Sequence, residues 1–565
     1  MSDLRRLFEQ ELRSLREEGA DFAKDFPEAA RFLEQGALDD RDPYVERLTE
    51  GIAFLTARVR EGSDSETDGL TQHLLELLVA ELEQPLASVA VVELLADSGF
   101  VEPLEIPAQS PVWATDPHDQ TEITFRTLHP TLVDAVQITA ARLEMEESKS
   151  VHLDLEFSNC IDDVSYPWPD SIPLFLLGDP PVVWAVRFAL LRRQHRIQLW
   201  RDNAWVDEPR LSLTRLDQPG YASDRGIPSP LSSLRDFLCA DERFRFVSLS
   251  GLSEVGADAT VKLRIHLDGQ PPRGIARAVD KNLFRLHAAV VINRFPAYCH
   301  SLTWDHTRST AVLRAQGDSH REILDLIEVT AQTTSHPPRK LTYEPFSRYR
   351  LGSGSGRYQL LRFRNRHGRT VSALSLGSGS DPADQECQSL SIQAMCCDGE
   401  LPHDRIHKHD FRRMDPRVSD TPVRGLTRPT PRFAPPEFAD PRSRLLAFAS
   451  GHVSGWLDAD RLKDVLQHLM WDPSASKRTL VESIHSISTD NDFVLDRGVA
   501  WRRHTTTIRL RDTTCTPETW DRLGILDAFG SVLWGIVRDS APIGSKGALD
   551  LVVDPAGVVL SWKDA

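Results

Sequence analysis

The sequence contains few cysteines and no long uninterrupted apolar run. Seven cysteines in 565 residues are too few for a disulfide framework, which is typical of a protein kept in a reducing compartment. The longest apolar stretch, residues 172–191, is broken by Gly178-Asp179-Pro180-Pro181, whose backbone groups would have no partner in lipid. The N-terminal segment MSDLRRLFEQELRSLREE is charged throughout, unlike a signal peptide. We therefore expect a cytoplasmic protein that does not span a membrane.

Positive charge is scarce relative to negative charge. Lysine and arginine total 66 and aspartate and glutamate total 83, so the formal net charge is −17. Such a chain has no general positive field to attract a phosphate backbone, and nucleic acid is not expected as a partner. Hydrophobic residues make up 40% of the sequence, which suits folded cores. The length corresponds to roughly three to four domains.

Motifs of common catalytic sites are missing as well. The sequence contains no G-x-x-x-x-G-K-[ST], no H-E-x-x-H and no G-x-S-x-G. The glycine-rich segment 352–356 lacks the G-x-G-x-x-G spacing and is not followed by a helix start, so we interpret it as a hairpin tip. No pair of carboxylates is singled out as a general acid and base. We expect no catalytic residue, no cofactor and no metal in a protein that is not an enzyme.

The first hundred residues do carry a clear helical periodicity. Apolar residues and one glycine recur at alternating intervals of four and three, the spacing of a coiled-coil seam. They are Phe8, Leu12, Leu15, Gly19, Phe22 and Phe26. Pro27 ends or kinks this helix because its ring clashes with the preceding turn.

A second stripe with the same spacing follows Asp42-Pro43, a favourable helix start because proline fits the first helical position. Its members are Val45, Leu48, Ile52, Leu55 and Val59. We expect a polar break over Gly62–Gly69 and a further helix from Leu70 to Glu83.

Two interpretations of these stripes remain open. In the first, the helices form an ordinary bundle and pack on their own chain. In the second, they form an arm that binds another subunit. The second interpretation is supported by the length of the first helix, about 33 Å at 1.5 Å per residue, with only short helices nearby in sequence to cover it.

After residue 100 the apolar period changes to two, which predicts half-buried antiparallel strands. The clearest examples are Val151, Leu153, Leu155, Phe157 and Val261, Leu263, Ile265, Leu267. Helical spacing returns between Asp460 and Trp471 and from Leu526 to Ile536. We predict an α+β, multidomain fold with a helical N-terminal region at 1–100, a β-rich domain at 101–340 and an α+β domain at 341–565.

Two clusters could carry chemistry. Cys396, Cys397, His403, His407 and His409 offer metal ligands, but adjacent cysteines on a strand point to opposite faces, which favours a structural strand and loop over a metal-dependent enzyme. The segment Arg348–Arg369 mixes arginines with aromatic residues, as in RNA-binding surfaces. A β-hairpin with a charged outer face and an aromatic inner face explains that segment better in so acidic a chain.

The string D-P-Y-V-E-R-L, followed by G-I-A-F-L-T-A-R, occupies residues 42–48 and 51–58. It resembles a specific motif of the TssF family, also called VasA or ImpG, of bacterial type VI secretion baseplate subunits. Shorter matches follow in the family's order along the chain. They are Phe175–Asp179, Ala288–Pro296, Trp304–His306, Tyr343–Phe346 and Cys397–Pro402.

The sequence also departs from the family pattern at three places. The family's L-D-D-E-F-P-E segment is replaced by residues 62–69, its Y-F-x-F-P-E-K-F motif is only echoed at residues 236–244, and its asparagine near the last helix is missing around residues 540–542. The chain therefore resembles a divergent member.

The resemblance implies a structural wedge subunit. Two copies would join one TssG, contact TssK, the VgrG spike hub, TssE and sheath components, associate with each other in the wedge, and reach the inner membrane only indirectly, through partners. Residues Phe8, Leu12, Leu15, Phe22 and Phe26 are our candidates for partner contacts. A wedge subunit of a phage-tail-like contractile injection system is the alternative with the same physics.

Overall fold

The structure is a computed structural model whose description covers most of the chain. The described residues are 2–26, 28, 43–95, 103–145, 150–159, 168–216, 220–221, 230–254, 260–305, 310–317, 320–333, 337–346, 356–364, 370–377, 388–416, 419, 421–435, 445–448, 458–471, 474–496, 498–542 and 544–564. The chain divides into two compact units. The first consists of Met1–Ala80, Arg362–Val371 and Ala439–Leu446, and the second of Glu81–Leu361, Ser372–Phe438 and Ala447–Ala565. The three-domain division at residues 100 and 340 stays a prediction.

The helices in the described residues confirm the predicted helical N-terminal arm. In chain order they are α1 (Ser2–Asp25), α2 (Pro43–Glu83), α3 (Pro180–Phe188), α4 (Pro230–Cys239), α5 (Ile275–Ala278), α6 (Leu401–Arg405), α7 (Ala459–Leu469), α8 (Ala475–Glu482) and α9 (Trp520–Ser540). A π-helical turn, Ala189–Arg193, continues α3. The helix α1 ends before Pro27, as expected for a residue that has no N–H to donate.

The break predicted at Gly62–Gly69 is wrong. The backbone of α2 continues as a helix through this segment and departs from helical geometry only at Val79, with φ −141° and ψ 45°. The polar composition lowers local helix propensity, but propensity is a weak determinant. A helix already formed on one side extends at little cost, because propagation fixes one residue per hydrogen bond.

The strands lie mainly in the second unit. The first thirteen are β1 (Val89–Leu94), β2 (Leu104–Ile106), β3 (Pro111–Thr115), β4 (Glu122–Thr127), β5 (Thr131–Val133), β6 (Val136–Met145), β7 (Val151–Asn159), β8 (Ser171–Leu176), β9 (Gln194–Arg201), β10 (Ala204–Asp207), β11 (Ser212–Arg215), β12 (Phe246–Ser250) and β13 (Thr260–Leu267). The next ten are β14 (Phe284–Arg285), β15 (Ala288–Ile292), β16 (Phe295–Tyr298), β17 (Leu302–Trp304), β18 (Ala311–Val312), β19 (Glu322–Thr333), β20 (Lys340–Pro345), β21 (Arg357–Arg364), β22 (Thr370–Gly377) and β23 (Gln388–Cys397). The last six are β24 (Phe411–Met414), β25 (Val423–Gly425), β26 (Ile484–Asp496), β27 (Val499–Arg511), β28 (Ser545–Asp554) and β29 (Val558–Lys563).

These strands form several mostly antiparallel sheets, which confirms the predicted fold class. The orders are β24-β3-β4-β15-β1-β25, β10-β9-β13-β7-β6, β11-β12-β8-β14, β16-β23-β19-β20-β21-β22-β18 with β17 on β23, β2-β5 and β26-β27-β28-β29. The alternating segments read from the sequence as β7 and β13 pair with each other in register, Leu155 opposite Leu263. Parallel pairing occurs between β20 and β21 and between β27 and β28.

The six-stranded sheet is buried on both faces. Val89 and Val91 of β1 belong to one hydrophobic cluster, whereas Ala90 and Val92 belong to another, because successive side chains of a strand point to opposite faces. A third cluster, around Leu326 of β19, fills the inner face of the eight-stranded sheet. The cores of the second unit therefore lie on the faces of its sheets.

The helices α3 and α9 of the second unit pack in close contact. Gly524 of α9 lies against the α3 backbone so closely that a Cβ atom there would stand 2.1 Å from the Trp184 carbonyl oxygen. Only a residue without a side chain allows this approach. By contrast, a Cβ at Gly535 of the same helix would meet nothing nearer than Pro230 at 3.8 Å.

A buried carboxylate with three arginines joins the same helices. Asp527 of α9 and Arg187 of α3 are both fully buried, and the Arg187 guanidinium lies 3.0 Å from the Asp527 carboxylate. Arg192 and Arg215 donate to the same carboxylate at 2.7 and 3.2 Å. A buried charge without a partner is very costly. The Asp527 carboxylate is therefore needed to compensate the positive charges of the guanidiniums around it.

The charges in this cluster shift the pKa values of Asp527 and Arg187. Burial by itself would raise the pKa of Asp527, but the guanidiniums of Arg187, Arg215 and Arg192 outweigh burial and lower it. Burial lowers the pKa of Arg187 to about 10, and the Asp527 carboxylate opposes that shift. Asp527 and Arg187 are therefore both charged near neutral pH.

A second buried network connects α4 with α8. The Lys477 ammonium donates to the Phe237 carbonyl at 2.8 Å and to Asp241 at 3.0 Å, and Arg245 also pairs with Asp241 at 2.6 Å. Burial would raise the pKa of Asp241, but Lys477 and Arg245 lower it to about 2. Residues 236–244, which depart from the family pattern in sequence, thus contribute to the core.

Replacing Gly524 by alanine should destabilise the second unit by about 1 to 3 kcal/mol, because the added methyl group forces α3 and α9 apart. Gly535→Ala in the same helix should be neutral or stabilising by up to about 1 kcal/mol, since alanine is the better helix former. Urea unfolding of both variants beside the parent protein measures the difference. Equal stabilities for the two variants would contradict the close packing of α3 on α9.

Replacing Asp527 by asparagine should cost about 3 to 5 kcal/mol of stability at pH 7, because it leaves the guanidiniums uncompensated. The pKa of Asp527 is lower in the folded than in the unfolded state, so its stabilisation is present above about pH 4 and is lost as the pH falls through the folded-state value. The difference in stability between parent and variant should therefore shrink in acid.

The matched control is Asp539→Asn near the end of the same helix, where the carboxylate is exposed and pairs with Arg538. Its effect should stay below about 0.5 kcal/mol. The role of Asp527 in the buried cluster would be contradicted by either of two results. One is an equal loss of stability in both variants, and the other is a loss of stability in Asp527→Asn that does not change with pH.

Candidate partner-binding surfaces

The predicted partner contacts on α1 fall into two groups. Phe8, Leu12 and Leu15 are half-buried, whereas Phe22 and Phe26, at the end of the helix and just beyond it, are exposed. The rings of Phe22 and Phe26 contact each other with centroids 5.2 Å apart. The structure therefore places the five residues on one arm, and their role in binding a partner stays a prediction.

The second helix of the arm exposes a longer apolar stripe. With about 100° of rotation per residue, five large apolar residues of α2 fall within about 80° of its circumference. Each is between 45% and 79% exposed. They are Tyr44, Leu48, Ile52, Leu55 and Val59. We call this set the α2 stripe.

The opposite side of α2 carries small buried residues. Ala53 and Ala57 have no exposed surface and lie roughly opposite Leu48 on the helix. This distribution is the reverse of that in an ordinary surface helix, which buries its large apolar residues and exposes small or polar ones. The α2 stripe is therefore not the side by which α2 packs within this unit.

Two ion pairs connect α1 and α2. The Arg16 guanidinium lies 2.6 Å from the Glu46 carboxylate, and the Arg60 guanidinium lies 2.6 Å from the Glu11 carboxylate. Residue numbers rise along α1 as they fall along α2 in these pairs, so the two helices run in opposite directions. Exposed ion pairs stabilise by at most about 1 kcal/mol each, so they orient the helices more than they hold them.

An exposed stripe of this kind has a physical consequence. Contiguous apolar surface that is exposed to water is costly to hydrate and marks binding sites for other proteins. Apolar residues spaced by three and four on one face of a helix dock into a groove or pair with a second helix. The arrangement suits binding of a partner helix along α2.

The sequence showed four members of the α2 stripe as a periodic pattern, Leu48, Ile52, Leu55 and Val59, but not whether they face solvent or the interior. Both interpretations of the arm used the same apolar residues, and only the structure distinguishes the buried side of α2 from its exposed side. The signal that could have separated them is the pair Ala53 and Ala57, because small residues four apart permit close helix packing on their own face.

The structure does not bring the candidate residues Cys396, Cys397, His403, His407 and His409 together as a set of metal ligands. Burial raises the pKa of Cys396 and of Cys397 to about 12, so both sulfurs are poor metal ligands near neutral pH. The His403 ring pairs with the Pro429 carbonyl at 2.8 Å, and the His409 ring is largely exposed. Cys396 and Cys397 end β23, His403 lies in α6, and His409 lies in the turn before β24.

In the part of the chain that the structure describes, three other residues come together as possible metal ligands: Glu144, His152 and Asp154, with ligand atoms within 4.8 Å of one another. The Asp154 carboxylate is already held by two hydrogen bonds of 2.8 Å from Arg264 on the neighbouring strand. A cationic guanidinium beside the same carboxylate disfavours a second cation. The group is therefore explained as a cross-strand ion pair.

The arginine-rich segment lies partly outside the described residues, which omit 347–355 and 365–369. Its described part forms β21, next to β22 in the eight-stranded sheet. Tyr358 and Leu360 are buried in the core of that sheet, and Arg357 pairs with Glu344. Because the Tyr358 ring is covered by the core, it has no face available for stacking on a base.

No helix in the described segments combines the length and the apolarity that crossing a bilayer requires.

Comparison with known proteins agrees with the sequence resemblance. A curated relative, the type VI secretion system component TssF1 of Pseudomonas aeruginosa strain PAO1, is 25% identical over 473 residues, which cover 72% of this chain and 73% of the relative. The fold also matches solved structures. One is a cryo-electron microscopy structure of the TssK-TssF-TssG baseplate subcomplex of the type VI secretion system, with a TM-score of 0.77, 20% identity and coverage of 92% of this chain and 98% of the other.

A chain from a structure of the type VI secretion baseplate complex matches with a TM-score of 0.60 and 20% identity, covering 99% of both chains. At these identities the structural likeness establishes the fold. The family comparison establishes more, because the model of the family described as type VI secretion system, TssF, matches residues 1–563. This chain therefore belongs to the TssF family of type VI secretion proteins.

Proposed function

We propose that this type VI secretion baseplate subunit binds its neighbours through the helical arm, and that the α2 stripe is the contact surface. The single observation that carries the proposal is the exposure of five large apolar residues along one face of α2 while Ala53 and Ala57 on the other face are buried. A partner that covers the stripe removes this surface from water. Burying a leucine side chain contributes roughly 1.5 to 3 kcal/mol.

The partner that we propose for the arm is a helix of a TssG subunit. A solved relative of this chain lies in a subcomplex with TssK and TssG, which supports this choice of partners. Two copies of this chain per TssG, contacts with TssK, the VgrG hub, TssE and the sheath, and self-association in the wedge are further parts of the proposal. The exposed rings of Phe22 and Phe26 extend the apolar surface of the arm and are available to the same or a second partner.

In this proposal the chain acts by geometry and not by catalysis. The second unit supplies broad sheet faces fixed by buried ion networks, and the arm supplies a binding ridge. Its place would be the cytoplasmic side of the inner membrane, held there by partner proteins. The proposal keeps the three predicted domains and assigns partner binding to residues 1–100.

Replacing Leu48 and Leu55 together by glutamine should weaken binding of the TssG-like partner at least about tenfold, because two anchors of the apolar surface become polar. The variant itself should stay folded, since both side chains are exposed in the free chain and surface substitutions change stability little. Co-purification of the two proteins, followed by a measured affinity, provides the test.

Phe54→Gln is the matched control. Phe54 is also exposed and apolar, but it lies about 100° round α2 from Leu55 and outside the α2 stripe. Its replacement should leave binding unchanged. If the double variant binds the partner as tightly as the parent protein, or if the control loses as much affinity, the α2 stripe is not part of the interface.

A further inference from the structure

The two borders of the α2 stripe differ in charge. At about 100° of rotation per residue, Arg47 and Arg58 lie about 80° to 100° round the helix from Leu48, the middle of the stripe. Thr49 and Thr56 lie at about the same angles on the opposite side of Leu48. Within residues 44–60, one border of the exposed apolar surface is therefore cationic and the other border is uncharged.

The side chains of Arg47 and Arg58 are exposed and form no ion pair or side-chain hydrogen bond with any described residue. By contrast, Glu46 and Arg60 of the same helix pair with Arg16 and Glu11 of α1. The helix α2 thus neutralises the charges that it turns toward α1. It leaves the two arginines beside the stripe without a counter-charge among the described residues.

Charge of the opposite sign lies far from this border. The carboxylate of Glu50 is also exposed, but it lies about 160° round the helix from Leu48. A partner that covers the stripe therefore meets the guanidiniums of Arg47 and Arg58 at its rim and does not meet Glu50. The field at the rim is positive although the whole chain carries a net charge of −17.

Covering the stripe changes the surroundings of these two arginines. Water solvates them in the free chain, and a partner on the stripe displaces part of that water. A carboxylate of the partner then compensates the guanidinium through a charge-assisted hydrogen bond. Arginine suits this position because its aliphatic stem packs on apolar surface while the guanidinium reaches past it.

The spacing of the two arginines defines where such carboxylates must lie. Arg47 and Arg58 are separated by about three helical turns, or roughly 16 Å along the axis, and they differ by only about 20° in direction. A second helix lying along the stripe meets both if it carries acidic residues about three turns apart on one border of its own apolar stripe.

The same charges argue against α2 of a second copy as the occupant. In an antiparallel pair of α2 helices centred near Ile52, like borders meet, and Arg47 of one copy lies opposite Arg58 of the other. In a parallel pair the cationic border meets the border of Thr49 and Thr56, which offers no counter-charge. The first arrangement is repulsive, and the second leaves both guanidiniums uncompensated.

We propose that the α2 stripe binds a helix whose apolar stripe is bordered on one side by acidic residues about three turns apart, and that Arg47 and Arg58 select this helix. The inference rests on the proposed function, because it concerns the same surface. The apolar residues supply most of the affinity. The arginines accelerate association and fix the direction of the partner helix, because reversing that helix turns its acidic border away from them.

Salt dependence of binding tests the charges. The full chain binds the TssG-like partner at about 50 mM and about 500 mM NaCl, between which the Debye length falls from roughly 14 Å to roughly 4 Å. We expect the parent protein to bind about tenfold more weakly at the higher salt, chiefly through slower association. The double variant Arg47→Gln, Arg58→Gln should lose about tenfold in affinity at low salt and bind like the parent at high salt.

The matched control is the double variant Arg5→Gln, Arg13→Gln. It removes the same charge from exposed positions of α1 that pair with Glu9 and Glu17. Its affinity should stay within about twofold of the parent at both salt concentrations. An equal loss in this control would reduce the effect to the net charge of the arm and overturn the selection by Arg47 and Arg58.

Charge reversal locates the partner's carboxylates. The double variant Arg47→Glu, Arg58→Glu should bind more weakly than the glutamine variant, because like charges then meet at the rim. Replacing acidic residues about three turns apart on the partner's binding helix by lysine should restore at least about half of the lost free energy. If no such pair of partner residues restores binding, the acidic border does not exist and the proposal is wrong.

Failure of this inference differs from failure of the proposed function. If Leu48→Gln, Leu55→Gln loses affinity while Arg47→Gln, Arg58→Gln binds like the parent at both salt concentrations, the stripe binds a helix without an acidic border, and only this inference is overturned. If the leucine variant binds normally, the stripe is not the interface, and both fail.

Discussion

The constraint on which the account depends is the division of α2 into a face of buried alanines and a face of exposed large apolar residues. Ala53 and Ala57 are covered, so the helix cannot rotate to bury Leu48, Ile52 and Leu55 without uncovering its packed side. The exposed face is therefore a stable property of the free chain. Its hydration cost is relieved only when another molecule covers it.

The second unit is held together by internal contacts that leave no space for additional atoms and by buried ion pairs. Its helices are locked by contacts that tolerate no extra atom, as at Gly524, and by carboxylates surrounded with guanidiniums, as at Asp527. Such contacts add specificity to a fold whose six-stranded sheet is already buried on both faces. In the proposed function the second unit supplies this rigid body, and the arm supplies the contact with neighbouring subunits.

Sequence reasoning succeeded where one local pattern decided the structure. Strict alternation identified β7 and β13, and apolar residues spaced by three and four identified α1 and the first part of α2. It failed at Gly62–Gly69, where helix propagation outweighed a polar composition. The direction of the α2 stripe could not be predicted, because it depends on which elements pack together.

The most direct measurement of the central claim is the structure of this chain in its assembled complex with the TssG-like partner, determined by electron microscopy. We predict that Leu48, Ile52, Leu55 and Val59, all exposed in the free chain, become almost completely buried against a helix of another subunit. A complex in which these four side chains remain exposed to solvent would contradict it.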